Sequence, residues 1–450
     1  MIKIDLYQAT MLNGWFHHGL HNKKAAMEVF TRKMPNNRSF LVAAGISRIQ
    51  EFLSTACFHA KNIDTLKRRL NLSTEFCHYL YTVNFKKEIQ LFAMDEGEIF
   101  FPNQPIIRLE GPIGLIQYIE KYVLSVLNHD VRIASKAARV VIAAKQRPVY
   151  ELGGRRAHEA TNSDVARSAY IAGCAGTSSV EAYEEYGVPC FGSQGHVWIM
   201  SFPNEEESCK AWSEVYPENS INLIDTYHSW TGTELAIKYA RKGSFGGIRL
   251  DSGDLCEQSV NFRRLMNKSD HIESKIFASD DLDEYKIEDL LLHGAEIDCF
   301  GVGTTIVSTP DAPTCGFVCK LVAIEDVPGV NRNICKIADG GKGTWPGRKQ
   351  VWRNWIEYGG FGHYTHDLIG LAEEKHDGMV KSLLSKKELN LTGEFEERKV
   401  IMETSRTKFA EVLSVMPEGL KLLKNAYEYP VEFSEQLINE KNRIVRSMRK

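Results

Sequence analysis

From Ile116 to about Ala144 apolar side chains recur at helical spacing, with Ile119, Val123, Val126 and Leu127 on one stripe, and predict a long helix. Residues 5–18 predict a second, with Asp5 as an acidic first turn and Gly19 as the stop. Ala26–Arg32 reads as a strand closed by the turn Pro35-Asn36-Asn37, and charge-laced helical sequence follows through the eighties. Residues 88–112 read as short strands punctuated by Pro102, Pro105 and Pro112. After 148 the texture changes. Short apolar or glycine-rich runs now alternate with helical segments, and each run ends in polar residues. The runs are Val149–Leu152, Val188–Phe191, Ile221–Ile224, Ile248–Leu250, Ile276–Ala278 and Ile297–Phe300. Their starts lie about 20 to 40 residues apart, the length of a βα unit.

Six strands with polar residues at the same end predict an irregular TIM-like α/β barrel over residues 146–325, with its site at the C-terminal rim. Residues 1–145, completed by about 326–385, are expected to form a flanking α+β domain, and 386–450 a helical, charged C-terminal region. The barrel is organised around Gly246–Asp254, where a buried strand ends in a cation, carboxylates and a hydroxyl. Arg249 and Asp251, two apart, point to the same side of a strand and can address one ligand together. The alternative is an Arg–Asp pair that only holds the barrel.

Composition narrows the classes. The 450 residues are 43% hydrophobic and 25% charged, with a formal net charge of −3, which is ordinary for a globular protein. Nothing in this balance points to nucleic acid or an anionic membrane. Asp5 sits where a signal peptide would begin its apolar core, and no run is long enough for a membrane span, so a cytoplasmic protein is expected. The ten cysteines contain no CxxC, and Cys315 and Cys319 read as reduced core thiols.

His17, His18 and His21 read as solvent-exposed rather than metal-binding, since Gly19 interrupts the helix and no acidic ligand is near. Lys136 and Arg139, three apart on the long helix, fit either a solvated face or an approach to phosphate. Gly301-Val302-Gly303-Thr304-Thr305 fits either a phosphate cup at the rim or a plain tight turn. Neither the full dinucleotide fingerprint nor the P-loop spacing is present. Gly340–Lys349 reads as a solvated basic hairpin, with a mobile basic loop near an anion as the alternative.

Together these motifs resemble the nicotinate phosphoribosyltransferase family over nearly the whole chain. The resemblance rests on Asp5–Met11, Arg155-Arg156-Ala157, Gly192-Ser193-Gln194-Gly195-His196, Asp225-Thr226-Tyr227, Arg249–Leu255, Ser279–Asp283, Gly301–Thr304, Lys320-Leu321-Val322 and Pro346–Val351. It implies an enzyme of NAD salvage that transfers phosphoribosyl from phosphoribosyl pyrophosphate to nicotinate, coupled to ATP hydrolysis and requiring Mg²⁺. It further implies transient phosphorylation of His196, with Asp225 and Arg249 as its catalytic companions. Tyr7, Ser193 and Arg249 are then expected at nicotinate, with Tyr7 reaching a neighbouring subunit's site in a homodimer. Arg155, Asp251, Ser279, Asp280, Gly303 and Thr304 are expected on the ribose and phosphates, and Asp225 beside the reacting centre, orienting His196 or stabilising developing positive charge. The resemblance assigns no metal ligands. Val197, His228 and Leu152 depart from the family pattern, at the histidine, beside Tyr227 and on the ring pocket respectively. Two alternatives stay open: nicotinamide as the base, and a non-catalytic homologue that senses a nucleotide.

Overall fold

A computed structural model describes residues 3–218, 220–240, 245–338, 342–358 and 361–448. The chain divides into two compact units, Met1–Arg132 with Asp311–Lys450, and Ile133–Pro310. These limits differ from the expected 146–325 barrel span for two reasons. The helix Ile113–Ala143 crosses the first boundary, and the strand Val318–Val327 pairs with Lys24–Phe30 in the first unit's sheet.

In the first unit, six antiparallel strands run in the order Val330–Asn333, Val318–Val327, Lys24–Phe30, Ile107–Pro112, Gln90–Ala93, Ser385–Lys387. All of Lys24–Phe30 after its first residue is buried, so its alternation is apolar on both faces except at Glu28. Glu28 is neutralised by Lys349, whose Nζ lies 2.7 Å from its Oε2. That pairing corrects the hairpin reading. Lys349 is buried, Thr344 is buried with its hydroxyl accepting from Lys336 N at 2.8 Å, and Trp345 stacks on Phe433. Gly340 and Gly341 lie outside the described residues.

The first helix, Leu6–His17, stops where expected, and Gln8 Oε1 accepts from Asp5 N at 2.9 Å at its start. His17 and His18 are exposed, but His21 is not: its ring packs against Phe16 and Tyr79 at 4.9 and 4.7 Å. Burial holds its pKa below the ordinary imidazole value. The C-terminal segment carries helices Phe395–Ser414 and Glu435–Met448, and also a strand, Val431–Phe433, paired parallel with Phe361–Leu371. Cys315 and Cys319 are free and buried, as the sequence suggested.

The second unit is α/β. Six strands form one parallel sheet in the order Gly176–Thr177, Val149–Glu151, Cys299–Val302, Lys275–Ala278, Phe245–Leu250, Ser220–Leu223. Five of them match predicted runs. The run Val188–Phe191 does not become a strand, because Pro189 has no N–H to give a ladder. It leaves a single bridge, Thr177 to Cys190, and Gly176–Thr177 takes the expected place. The two end strands do not pair with each other among the described residues, so the sheet is parallel α/β without the closure of a full barrel. Gly247 is required where it stands: its φ is +135° and a Cβ there would strike the backbone carbonyl of Lys275 on the adjoining strand.

Lys136 and Arg139 do not form a solvated face. Both are buried against Glu284, Lys136 Nζ at 2.7 Å from Oε2 and Arg139 Nε at 2.9 Å from Oε1. Burial opposes the charge on Glu284, but the two cations outweigh it and hold the carboxyl below its usual pKa. Glu284→Gln is expected to cost about 3–5 kcal/mol in urea unfolding, because it removes the buried carboxylate that both cations share. The lowered pKa contributes stability above the unfolded value, lost as pH falls through the folded one. The difference between variant and wild type is therefore expected to shrink on the acid side.

Candidate active site

The alternation along Phe245–Leu250 delivers Arg249 and Asp251 to one side, and the parallel neighbour Lys275–Ala278 delivers Ser279 beside them. Arg249 Nη2 donates to Asp251 Oδ1 at 2.8 Å and its Nε to Ser279 Oγ at 2.9 Å, while the Ser279 hydroxyl also donates to Asp251. Asp225, just past Ser220–Leu223, accepts at Oδ2 from Asp251 N at 3.2 Å and from Ser252 Oγ at 2.5 Å. Three strand ends are thereby tied by one polar network. Asp254 stands apart from it, as the N-cap of Leu255–Lys268, accepting from Glu257 N at 2.9 Å.

A cavity of about 210 Å³ opens on this network. Arg155, Arg156, Arg249, Asp251, Asp280 and Asp281 supply its charged wall, with Ser279, Gly303 and Thr304 beside them. Seven of the anticipated residues (Arg155, Arg249, Asp251, Ser279, Asp280, Gly303 and Thr304) thus converge. The Arg249–Asp251 pair is not a purely internal strut, since both side chains face this space and retain 18% and 26% exposure. In the Ser279–Glu284 stretch the chain divides its chemistry. Asp280 and Asp281 adopt positive φ of 113° and 41° at the cavity, Asp283 caps the next helix, and Glu284 turns inward to Lys136.

The cavity floor is set by close backbone packing. Gly153 stands two residues after Glu151, whose buried carboxylate accepts from Gly153 N and, at 2.7 Å, from Thr177 Oγ1. A Cβ on Gly153 would meet Gly303 O at 2.7 Å, so the two cavity loops touch without side chains between them. Leu152 lines the same wall. Phe191 packs against the rings of both Tyr150 and Phe277, with centroids 4.1 and 5.0 Å away, and the three rings form one cluster.

His196 begins the short helix His196–Met200. Its Nδ1 is 3.0 Å from Thr226 Oγ1 and its Nε2 3.7 Å from Asp251 Oδ2. The orienting contacts therefore come from Thr226 and Asp251, not from Asp225 as one expectation had it, because both Asp225 contacts run to Asp251 N and Ser252. Thr226 was missed although it stood inside the quoted motif. A threonine beside an aspartate carries no signal until the strand end brings it to the histidine. Ser193 lies in the same loop, with its hydroxyl 3.3 Å from Gln194 O, and does not line the cavity. Tyr7 belongs to the first unit, where its hydroxyl donates to Glu120 Oε2 at 2.7 Å and its ring stays 47% exposed. Burial and that carboxylate raise its pKa well above the usual phenol value.

Burial disfavours the charge on Asp251, but the Ser279 hydrogen bond and the Arg249 guanidinium prevail and keep it ionised below the ordinary carboxylate range. Ser279→Ala is expected to move the Asp251 titration upward, followed by carboxyl-carbon NMR. An unchanged titration would show that Arg249 alone sets it.

Two family models match the chain. That of the nicotinate phosphoribosyltransferase N-terminal domain covers residues 2–128 and that of the nicotinate phosphoribosyltransferase family covers 148–350. A nicotinate phosphoribosyltransferase of Mycobacterium tuberculosis is 34% identical, across 98% of this chain and 93% of its own. One of Bacillus subtilis is 32% identical, across 97% and 93%. In fold, the crystal structure of human nicotinic acid phosphoribosyltransferase superposes with a TM-score of 0.82 at 23% identity, over 98% of this chain and 100% of that one. With models matched through both the N-terminal part and the cavity-bearing part, and such relatives along nearly its full length, the chain belongs to the nicotinate phosphoribosyltransferase family of enzymes.

Proposed function

We propose that the chain joins the ring nitrogen of nicotinate to C1 of phosphoribosyl pyrophosphate, releasing pyrophosphate and forming nicotinate mononucleotide for NAD salvage, with ATP hydrolysis coupled through His196. The observation that carries the reading is the cavity wall, where arginines and aspartates alternate at the ends of parallel strands. A phosphorylated sugar needs both, since guanidinium forks meet phosphate and carboxylate while carboxylates accept from ribose hydroxyls. Arg155, Gly303 and Thr304 hold the phosphates, and Asp251, Ser279 and Asp280 the ribose and its phosphates. Arg249 is fixed by Asp251 and Ser279 through Nη2 and Nε, and the rest of its guanidinium meets the nicotinate carboxylate, with Ser193 nearby. Its preference for an anion favours nicotinate over nicotinamide.

As the glycosidic bond changes hands, positive charge develops at C1, and the Asp225 carboxylate stabilises it. A preorganised charge of this kind contributes about 3–4 kcal/mol. His196 presents Nε2 as the phosphoryl acceptor, with Nδ1 held by Thr226 and the Asp251 carboxylate standing 3.7 Å from Nε2 itself. Tyr7 reaches the base from a second copy of the chain, so the working assembly is a homodimer.

No three His, Cys, Asp or Glu side chains gather as a metal cage among the described residues. Mg²⁺ commonly takes only one or two carboxylates plus substrate phosphates. Asp225 fits that part, because its buried Oδ1 has no hydrogen-bond partner. When bound, the ion neutralises charge on the pyrophosphate.

The test is mononucleotide formation from phosphoribosyl pyrophosphate and Mg²⁺ with either base, with and without ATP. Nicotinate turnover raised by ATP is expected, with His196→Ala abolishing only the ATP stimulation. Arg249→Ala is expected to lose a hundredfold or more, on the order of one removed transition-state contact. Turnover of nicotinamide alone would transfer the assignment to that base, and ligand binding without any turnover would leave a sensor.

A further inference from the structure

His196 opens a short helix anchored by Trp198, whose Nε1 donates to Ser208 O at 3.3 Å, but the Gly192–Gly195 stretch that leads into it is sparsely held. Gly192 and Gly195 flank the motif with open space around both α-carbons, and among the described residues the Ser193 hydroxyl bonds only to the next carbonyl. The one side chain that goes inward is Gln194, 4% exposed. Its Nε2 donates to Asn222 Oδ1 at 3.1 Å. Asn222 is fully buried in Ser220–Leu223, the strand that runs on into Asp225 and Thr226. The remaining acceptor of the pair, Gln194 Oε1, and the remaining donor, Asn222 Nδ2, have no hydrogen-bond partner among the described residues. A buried amide pair half-satisfied in this way joins the histidine loop to the strand through one neutral hydrogen bond, upstream of the contact between His196 and Thr226.

We infer that the Gln194–Asn222 amide pair is the positioning device that sets His196 over Thr226 and Asp251, and that it thereby governs how far ATP hydrolysis is coupled to base transfer. The inference rests on the phosphoryl-acceptor reading of His196. Neither amide lines the cavity, so the pair acts through the histidine and not on the phosphoribosyl donor. The same strand that delivers Asp225 to the reacting centre anchors the loop that delivers His196. The two halves of the chemistry therefore share one structural reference. A loop bounded by glycines has many conformations to lose, and one inward amide selects among them.

The discriminating experiment measures ATP consumed per mononucleotide formed, ATP-independent turnover, and phosphate retained on the protein from γ-labelled ATP. Asn222→Leu keeps the volume and removes the acceptor; Gln194→Met removes the donor on the loop side and serves if the strand variant does not fold. Each is expected to lower phosphate labelling and ATP stimulation about tenfold, the equilibrium weight of one net hydrogen bond. ATP-independent turnover and the melting temperature are expected to stay near wild type. Variants that retain ATP stimulation, or that lose ATP-independent turnover in the same proportion, overturn the positioning role while leaving the assigned reaction intact. A wild-type protein whose turnover ignores ATP and takes no label overturns the role of His196 and this inference together.

Discussion

A guanidinium and a carboxylate brought out on one side of a strand must satisfy each other before they can serve anything else. Arg249 and Asp251 meet that demand with a 2.8 Å contact, and the surrounding structure is arranged around it. Ser279 bonds to both members, Asp225 receives the backbone N–H of Asp251, and His196 faces the carboxylate's other oxygen. Each of these partners leaves a different strand end or the loop beside one. The pair therefore fixes the relative heights of the strand ends as well as its own charge. Without the parallel register that places Phe277 beside Arg249 and Ala278 beside Leu250, the network has no third member.

Much of this was legible in the sequence because it is local. The two-residue step from Arg249 to Asp251, the apolar run before each polar terminus, and the glycine stop after the first helix are all set by neighbours within a few positions. What escaped was set by distant partners. Lys136 and Arg139 looked equally suited to solvent or phosphate until Glu284, 148 residues beyond Lys136, was folded against them. Lys349 looked like part of a wet hairpin, and its actual partner is Glu28, 321 positions earlier in the chain. His21 carried no sign of the two rings that enclose it. The run at Val188–Phe191 had the right apolar content for a strand, but a proline at its second position withheld the ladder bond.

The site shows the same division. The arginines, aspartates and glycines around the cavity announced themselves by type and motif. The residues that orient them, Thr226 for the histidine and Glu151 for the Gly153 turn, are unremarkable until their contacts are seen. Glu151, a carboxyl inside the apolar run Val149–Leu152, reads as a strand terminus. In the fold it joins two loops through Gly153 N and Thr177 Oγ1, and burial raises its pKa.

The contact between Gly153 and Gly303 also limits how such a pocket can diversify. A Cβ on Gly153 would stand 2.7 Å from the opposing carbonyl and one on Gly303 3.2 Å from Leu152 O, so bulk on the Gly153 side displaces the opposing loop. Substrate range at this end cannot be tuned by exchanging small residues for larger ones, the route by which most pockets drift. It has to change by lengthening or shortening a loop, or by altering residues on the opposite wall. That makes the end where these two loops meet the conservative half of the cavity and leaves the opposite wall as the half free to vary.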